Sequence, residues 1–254
     1  GAGERLTARI VPWNPGEIRA RLPGAQRATF GATTLAVRAA RPDATLVLDS
    51  AGKLVRLDLD FEAIEAALDG GKPIQIRKLD LTLARPHGDL LDAKLLAQAI
   101  RLAEPAAPLA AFGTDIARAE FAGQLRGPIA GAASLGPSLR AWRDAGGTLE
   151  ASALALEWGP LRLAGEGTLA LDERDRPLGA GTVRLAGWNE AIDALQAARA
   201  VEPTPAAILK AALGFLGRVG GGEPGTVRVP VAAQDGRLVV HRIPVANLPS
   251  LRLE

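Results

Sequence analysis

The chain has 254 residues, room for one large domain or two small ones, and 48% hydrophobic with 23% charged content is that of a globular protein. Cysteine is absent, which removes disulfides, thiol nucleophiles, iron–sulfur clusters and zinc ribbons, and the two histidines, His87 and His241, argue against a metal centre. A net charge of +2 argues against a nucleic-acid footprint, and 4% aromatic content without Tyr against a stacking surface for single strands.

Alternation with a period of two dominates the chain and predicts strands. Leu6, Ala8 and Ile10 alternate with Thr7 and Arg9, and Ile18, Ala20 and Leu22 with Glu17, Arg19 and Arg21. Leu35 and Val37 begin another strand, Ala44 to Asp49 follows, and the turn Asp49-Ser50-Ala51-Gly52 leads to Val55, Leu57 and Leu59. At Phe61 to Asp69 the period changes: Phe61, Ile64 and Leu68 share a helical face, which predicts a helix. In the strand Ile74 to Leu83, Ile74 and Ile76 have one parity and Leu79, Leu81 and Leu83 the other, which predicts a β-bulge near Arg77-Lys78. Asp89 to Ala103 reads as a second helix, Ala117 to Leu125 as a strand, and Pro137 to Ala145 as a short helix stopped by Gly146-Gly147.

The segment Thr148 to Asp172 predicts a hairpin about Gly159-Pro160, with Trp158 opposite Leu161, Leu156 opposite Leu163, Leu154 opposite Gly165 and Glu157 opposite Arg162. A strand from Gly181 to Ala186 follows, then helices at Asn189 to Ala200 and at Pro205 to Val219, the latter N-capped by Thr204. Gly220-Gly221-Gly222 reads as a link. Val227, Val229 and Val231 are expected to pair with Leu238 and Val240 across a type I′ turn at Asp235-Gly236, with Pro230 at an edge or bulge. Hairpin followed by helix occurs twice, as an echo without sequence repetition. The class expected is α+β: a long curved, mostly antiparallel sheet with helices packed on one face.

No motif carries chemistry. Ala132-Ala133-Ser134-Leu135-Gly136 approximates a nucleophile elbow, but poor strand material precedes it, and His241 would have to serve as its base. Gly165-Glu166-Gly167 fits a dinucleotide string by letters yet sits inside a hairpin strand instead of before a helix. Asp58 with Asp60 reads as the wet face of a strand, and Asp172, Glu173 and Asp175 as a turn without the glycine and final glutamate of a calcium loop. His87 reads as a loop residue. The expectation is a non-enzyme with neither cofactor nor metal.

What remains is apolar surface. The hairpin face (Leu154, Leu156, Trp158, Leu161, Leu163) and the last helix (Leu209, Leu213, Phe215, Leu216) are expected to line a groove for an apolar ligand. Burying about ten methylenes at ~0.8 kcal/mol each contributes ~8 kcal/mol gross, a micromolar affinity before binding costs. The same residues are equally compatible with a filled core in a structural or protein-interaction domain.

Trp142-Arg143-Asp144-Ala145-Gly146-Gly147-Thr148-Leu149, Leu156-Glu157-Trp158-Gly159-Pro160-Leu161 and Gly165-Glu166-Gly167-Thr168-Leu169-Ala170-Leu171-Asp172 together resemble a family of bacterial envelope proteins known only as a domain of unknown function. Pro12-Trp13-Asn14-Pro15, Leu22-Pro23, Asp235-Gly236-Arg237-Leu238 and Leu248-Pro249 extend the resemblance over most of the chain. The resemblance implies a periplasmic body, an inner-membrane anchor upstream, and a distant likeness to AsmA-like and bridge-type lipid-transfer proteins. No catalytic residue is implied. The chain contains no Met and opens directly in a strand pattern, so residues are expected upstream of Gly1. A single periplasmic domain over residues 1–254 is expected, and two lobes, 1–127 and 138–254, are compatible with the pattern. The partners expected are a lipid or other apolar ligand and the inner membrane, with no nucleic acid.

Overall fold

In a computed structural model the described residues are 6–30, 33–86, 88–105, 107, 109–128, 135–219, 225–240 and 243–251. His87, Ser134, His241 and the Gly220–Gly222 tract lie outside them. The chain forms one long curved open sheet, mostly antiparallel, with three helices. Its strands are β1 (Thr7–Val11), β2 (Asn14–Arg21), β3 (Ala25–Phe30), β4 (Thr33–Arg38), β5 (Arg41–Leu48), β6 (Leu54–Leu68), β7 (Ile74–Ala84) and β8 (Leu90–Arg101). They continue as β9 (Asp115–Arg126), β10 (Thr148–Trp158), β11 (Leu161–Leu171), β12 (Pro177–Ala186), β13 (Thr226–Gln234), β14 (Arg237–Val240) and β15 (Ile243–Asn247). From β5 onward each strand pairs with its successor in the chain; β1 and β2 precede β5 at one edge, and the β3–β4 hairpin joins the far end of β6. The sheet crosses from residues 1–127 to 138–254 through the β9–β10 pair, which is registered from Arg126–Thr148 to Ile116–Trp158.

Two expected helices are strands. Phe61 to Leu68 continues β6, and Leu90 to Arg101 is β8, so the hairpin-then-helix echo disappears with the second of them. The helical spacing of Phe61, Ile64 and Leu68 has a different cause. Phe61 and Ile64 are buried in one cluster against Ile76 and Leu79, although each of these pairs is three residues apart. The ladder keeps its register across the gap, from Glu62–Lys78 to Ile64–Ile76 and from Gln98–Arg118 to Ile100–Ile116. Each strand from β6 to β9 therefore carries one extra residue in the same row: Ala63, Arg77, Ala99 and Ala117. Ala63 and Ala99 take φ of 49° and 50°, a left-handed conformation that costs a non-glycine residue ~1–3 kcal/mol. β10 lacks the extra residue, so its ladder to β9 jumps between Glu157–Arg118 and Trp158–Ile116. The change of parity expected at Arg77-Lys78 is real, but four strands share it as a crease, and β7 slips against neither neighbour.

The hairpin of β10 and β11 has the expected register from Trp158–Leu161 through Leu154–Gly165, and then shifts so that Ala151, not Ser152, stands opposite Gly167. The displaced Ser152 hydroxyl donates to the Ala122 carbonyl at 3.1 Å. Across β11 and β12, Gly167 pairs with Gly181; a Cβ on Gly167 would lie 2.7 Å from the Ala180 oxygen and 2.8 Å from the Gly181 Cα. Only glycine permits that approach. Asp235 and Gly236, with φ of 52° and 71°, form the expected type I′ turn between β13 and β14. Pro230 stands within β13 opposite Thr182, and the described pairing to β14 begins at the next residue, Val231.

The helices are α1 (Leu135–Asp144), α2 (Trp188–Ala197) and α3 (Pro203–Val219). α3 starts one residue before Thr204, with Pro203 in the first turn, where its missing N–H is no loss, and Glu202 accepts the Ala206 N–H. Ile192 of α2 and Ala206 and Leu213 of α3 bury Val227 and Val229 of β13 almost completely, with Val183, Leu185, Trp188 and Leu216 packed around them. A second small core forms where Ala39, Val37 and Leu22 close over Phe61 and Ile64. Replacing Gly167 with Val is expected to destabilise the fold by about 1–3 kcal/mol, whereas Ala180→Val on the exposed reverse face stays within ~0.5 kcal/mol; thermal denaturation of both variants checks this.

Candidate functional site

The ladder pairings place most of the apolar residues of these strands on one face, with Val47, Leu90, Leu96 and Leu178 on the other. One row runs through Ile10, Ile18, Leu46, Leu57 and Leu83, continues through Ala93, Gly123, Ala151, Gly167 and Gly181, and ends at Val231 and Val240. Beside it runs a row from Ala20 and Ala44 through Leu59, Leu81, Leu95 and Phe121 to Leu154, then Gly165, Val183 and Val229. A third joins Phe61, Leu79, Ala97, Ala119, Leu156 and Leu163 to Leu185 and Val227. The crease adds a fourth, Ile64, Ile76, Ile100, Ile116, Trp158 and Leu161. These rows contain no charged residue. Twelve strands at ~4.8 Å give the first row a length of about 50 Å, and rows ~6.8 Å apart make the strip about 20 Å wide.

Among the described residues the strip is roofed at two places, and its β1 end is left exposed at Ile10. α2 and α3 close it over β12 and β13, and the β3–β4 hairpin packs at β6. Between them Leu81, Leu83, Leu95, Phe121 and Leu156 stay half-buried. The accessible surface of 16066 Å² is large for a 26.3 kDa chain, since a compact monomer of that mass exposes about 10,600 Å².

The reverse face is ionic. Arg21 pairs with Asp43, Arg56 with Asp58, Arg101 with Asp115, Arg118 with Glu120 and Arg126 with Glu150. The hydrogen bond from Arg56 holds the Asp58 carboxyl below its ordinary range against the opposing effect of burial, with a lesser contribution from the Thr82 hydroxyl. This is the opposite of the upward shift that a general acid requires. Gly165 and Gly167 sit inside β11, where no helix follows to receive a pyrophosphate.

The nine groove residues fall into three settings. Leu154, Leu156, Leu161 and Leu163 lie on the open apolar face, and Trp158 closes its end, donating to the Gly113 carbonyl at 2.9 Å and meeting Phe112 edge-on at 5.7 Å. Leu213 and Leu216 belong to the packed core over Val227 and Val229. Leu209 and Phe215 face solvent, Phe215 with 64% of its surface exposed. α3 rests on β13, two strands from β11, so helix and hairpin do not face each other across a gap. The larger part of the apolar strip, on β6 to β9, escaped the sequence reading because two of those strands look helical. Its visible traces were the alternations of Val55, Leu57 and Leu59 and of Leu79, Leu81 and Leu83, and the strand pattern from Ala117 to Leu125. The Ser134–His241 pair lies outside the described residues.

The family described as "uncharacterized protein conserved in bacteria", DUF2125, matches residues 1–249. The chain belongs to this family. It is thus a bacterial domain, and the DUF2125 match spans both ends of the apolar strip. No curated protein and no solved structure matches the chain. Among the described residues no helix is long and apolar enough to cross a membrane.

Where β11 turns into β12, Asp172 accepts the Arg174 and Arg176 backbone N–H groups at 2.8 and 2.9 Å and the Arg176 guanidinium at 2.8 Å. Those bonds, the Arg176 side chain's first, hold the Asp172 carboxyl down from 3.8 to about 2. Arg143 of α1 reaches Asp175 in the same turn, and the Leu251 N–H donates to the Asp175 carbonyl at 2.8 Å. A carboxyl depressed in the folded state stabilises above its unfolded value and loses that contribution as pH falls. Acid unfolding is therefore expected to gain from this turn between pH 3.8 and about 2, and Asp172→Asn to flatten the stability profile in that window when followed by circular dichroism.

Proposed function

We propose that this domain holds the acyl chain of a lipid on its uncovered apolar face and passes it along that face, as a periplasmic module tethered to the inner membrane. The observation that carries the reading is a strip about 50 Å long with no charged residue, on which Leu81, Leu83, Leu95, Phe121 and Leu156 stay half-buried among the described residues. That length exceeds the ~15 Å that one chain spans in half of a ~30 Å hydrocarbon layer, so a guest has room to shift along the strip. A flexible chain needs only methylene contacts, each worth ~0.8 kcal/mol. Protein interfaces concentrate Tyr, Trp and Arg at their centres. This strip is Leu, Ile, Ala, Gly and Val, with Phe121 at its middle and Phe61 and Trp158 in its last two rows. The periplasmic setting follows from the envelope resemblance and stands as part of the proposal.

A second reading, a non-catalytic envelope domain whose apolar face is covered by another protein, draws on the core beneath α2 and α3, where Ala206, Val227 and Val229 are almost fully buried. Lipid exchange separates the two. The protein is expected to move fluorescent fatty acyl lipid between vesicles and to bind the free lipid near micromolar. Leu95→Asn and Leu156→Asn should each weaken that binding about tenfold, the ~1.4 kcal/mol of roughly two lost methylene contacts. Retrieval of only bare protein by native mass spectrometry after mild extraction, with no exchange above the protein-free rate, would overturn the lipid reading.

A further inference from the structure

We propose that the β1 edge of the sheet is a docking surface for an anionic lipid bilayer, so that the apolar strip meets the membrane at its β1 end. This rests on the lipid reading for its purpose, but the observations are its own. Trp13, in the tight turn between β1 and β2, is 86% exposed, Ile10 beside that turn is 63% exposed, and Leu6 at the other end of β1 is 61% exposed. β1 ends the strand order, and among the described residues no strand pairs with its outer side. Ile10 is also the first residue of the longest apolar row. An indole and two aliphatic side chains with so little protein around them suit the headgroup boundary of a bilayer, where Trp has an apolar body and a polar N–H to place.

Charge at the same corner selects the sign of the surface. On the reverse face Arg9 stands directly opposite Arg19, an arrangement of like charges that is unfavourable unless an anion lies between them. Arg19 holds Glu17 and Arg21 holds Asp43, while Arg9 has no carboxylate partner among the described residues. Arg9, Arg19, Arg21, Asp43 and Thr45 line a shallow hollow of about 390 Å³, open to solvent; Arg19 and Arg21 bond Glu17 and Asp43 there, and Arg9 is the guanidinium left to meet a lipid phosphate. Arginine suits that group because its fork matches two phosphate oxygens.

The test uses the whole chain and sedimentation with large unilamellar vesicles. Binding to vesicles with 30% phosphatidylglycerol is expected, with a blue shift of Trp emission and a steep fall in binding as salt rises. Trp13→Ala with Leu6→Ser should reduce the bound fraction at least tenfold and abolish the shift. Arg9→Ala with Arg19→Ala should remove the preference over pure phosphatidylcholine. Because these residues are exposed, the variants are expected to keep the melting temperature and the vesicle-free affinity for fluorescent fatty acid. Unchanged vesicle binding in both double variants would overturn the docking surface, as would β1-dependent self-association in analytical ultracentrifugation that vesicles do not compete. Loss of fatty-acid binding with docking intact would overturn the lipid reading alone.

Discussion

Apolar side chains collected on one face of a sheet that the chain does not fully cover set the terms for everything else here. A sheet buried on one face normally finds a second layer, and burial of that face supplies most of its stability. Among the described residues the second layer exists in two places: α2 and α3 over β12 and β13, and the β3–β4 hairpin beside Phe61 and Ile64. Between them the sheet relies on backbone ladders and on half-buried contacts among neighbouring Leu side chains. The ionic face contributes little by itself, because exposed pairs such as Arg21–Asp43 are each worth ~0–1 kcal/mol. Its value is in fixing the orientation: a strand that slipped by one residue would put Arg and Asp on the apolar side.

The crease and the glycine pairs serve the same constraint. An extra residue in β6, β7, β8 and β9 at one row turns Ile64, Ile76, Ile100 and Ile116 back to the apolar side, which widens the strip by a row. Sharing the insertion over four strands avoids a register slip inside the sheet and leaves the adjustment to the β9–β10 boundary. Further along, Gly165, Gly167, Gly179 and Gly181 replace Leu on that face, where added Cβ atoms would strike the backbone of the neighbouring strand. The strip thus changes from leucine to glycine to valine without ever becoming polar.

Much of this was legible in the sequence, and the failures have physical causes. Strict alternation identified β1, β2, β5, β7 and β9, and cross-strand reasoning gave the register of β10 and β11 as far as Leu154–Gly165, because turn chemistry and side-chain pairing act locally. The helix reading of Phe61 to Asp69 failed because the crease spaces Phe61 and Ile64 as a helix turn would. In β8 the i, i+4 spacing of Leu91, Leu95 and Ala99 disguised the alternation of Leu91, Ala93, Leu95 and Ala97 on one face. The apolar helix face was recognised, but periodicity does not say which neighbour a helix chooses: Leu213 went to β13, and Phe215 to solvent. The candidate site was therefore half legible, on the hairpin and not on the helix.

The most direct measurement is photocrosslinking of a diazirine-bearing fatty acid to the purified protein, with the adducts mapped by peptide mass spectrometry. The account predicts labels on the open centre of the strip, at Leu83, Leu95, Phe121 and Leu156, competed away by unlabelled fatty acid. Labels confined to the exposed side of α3 around Ile208 and Phe215, or none above background, would contradict it.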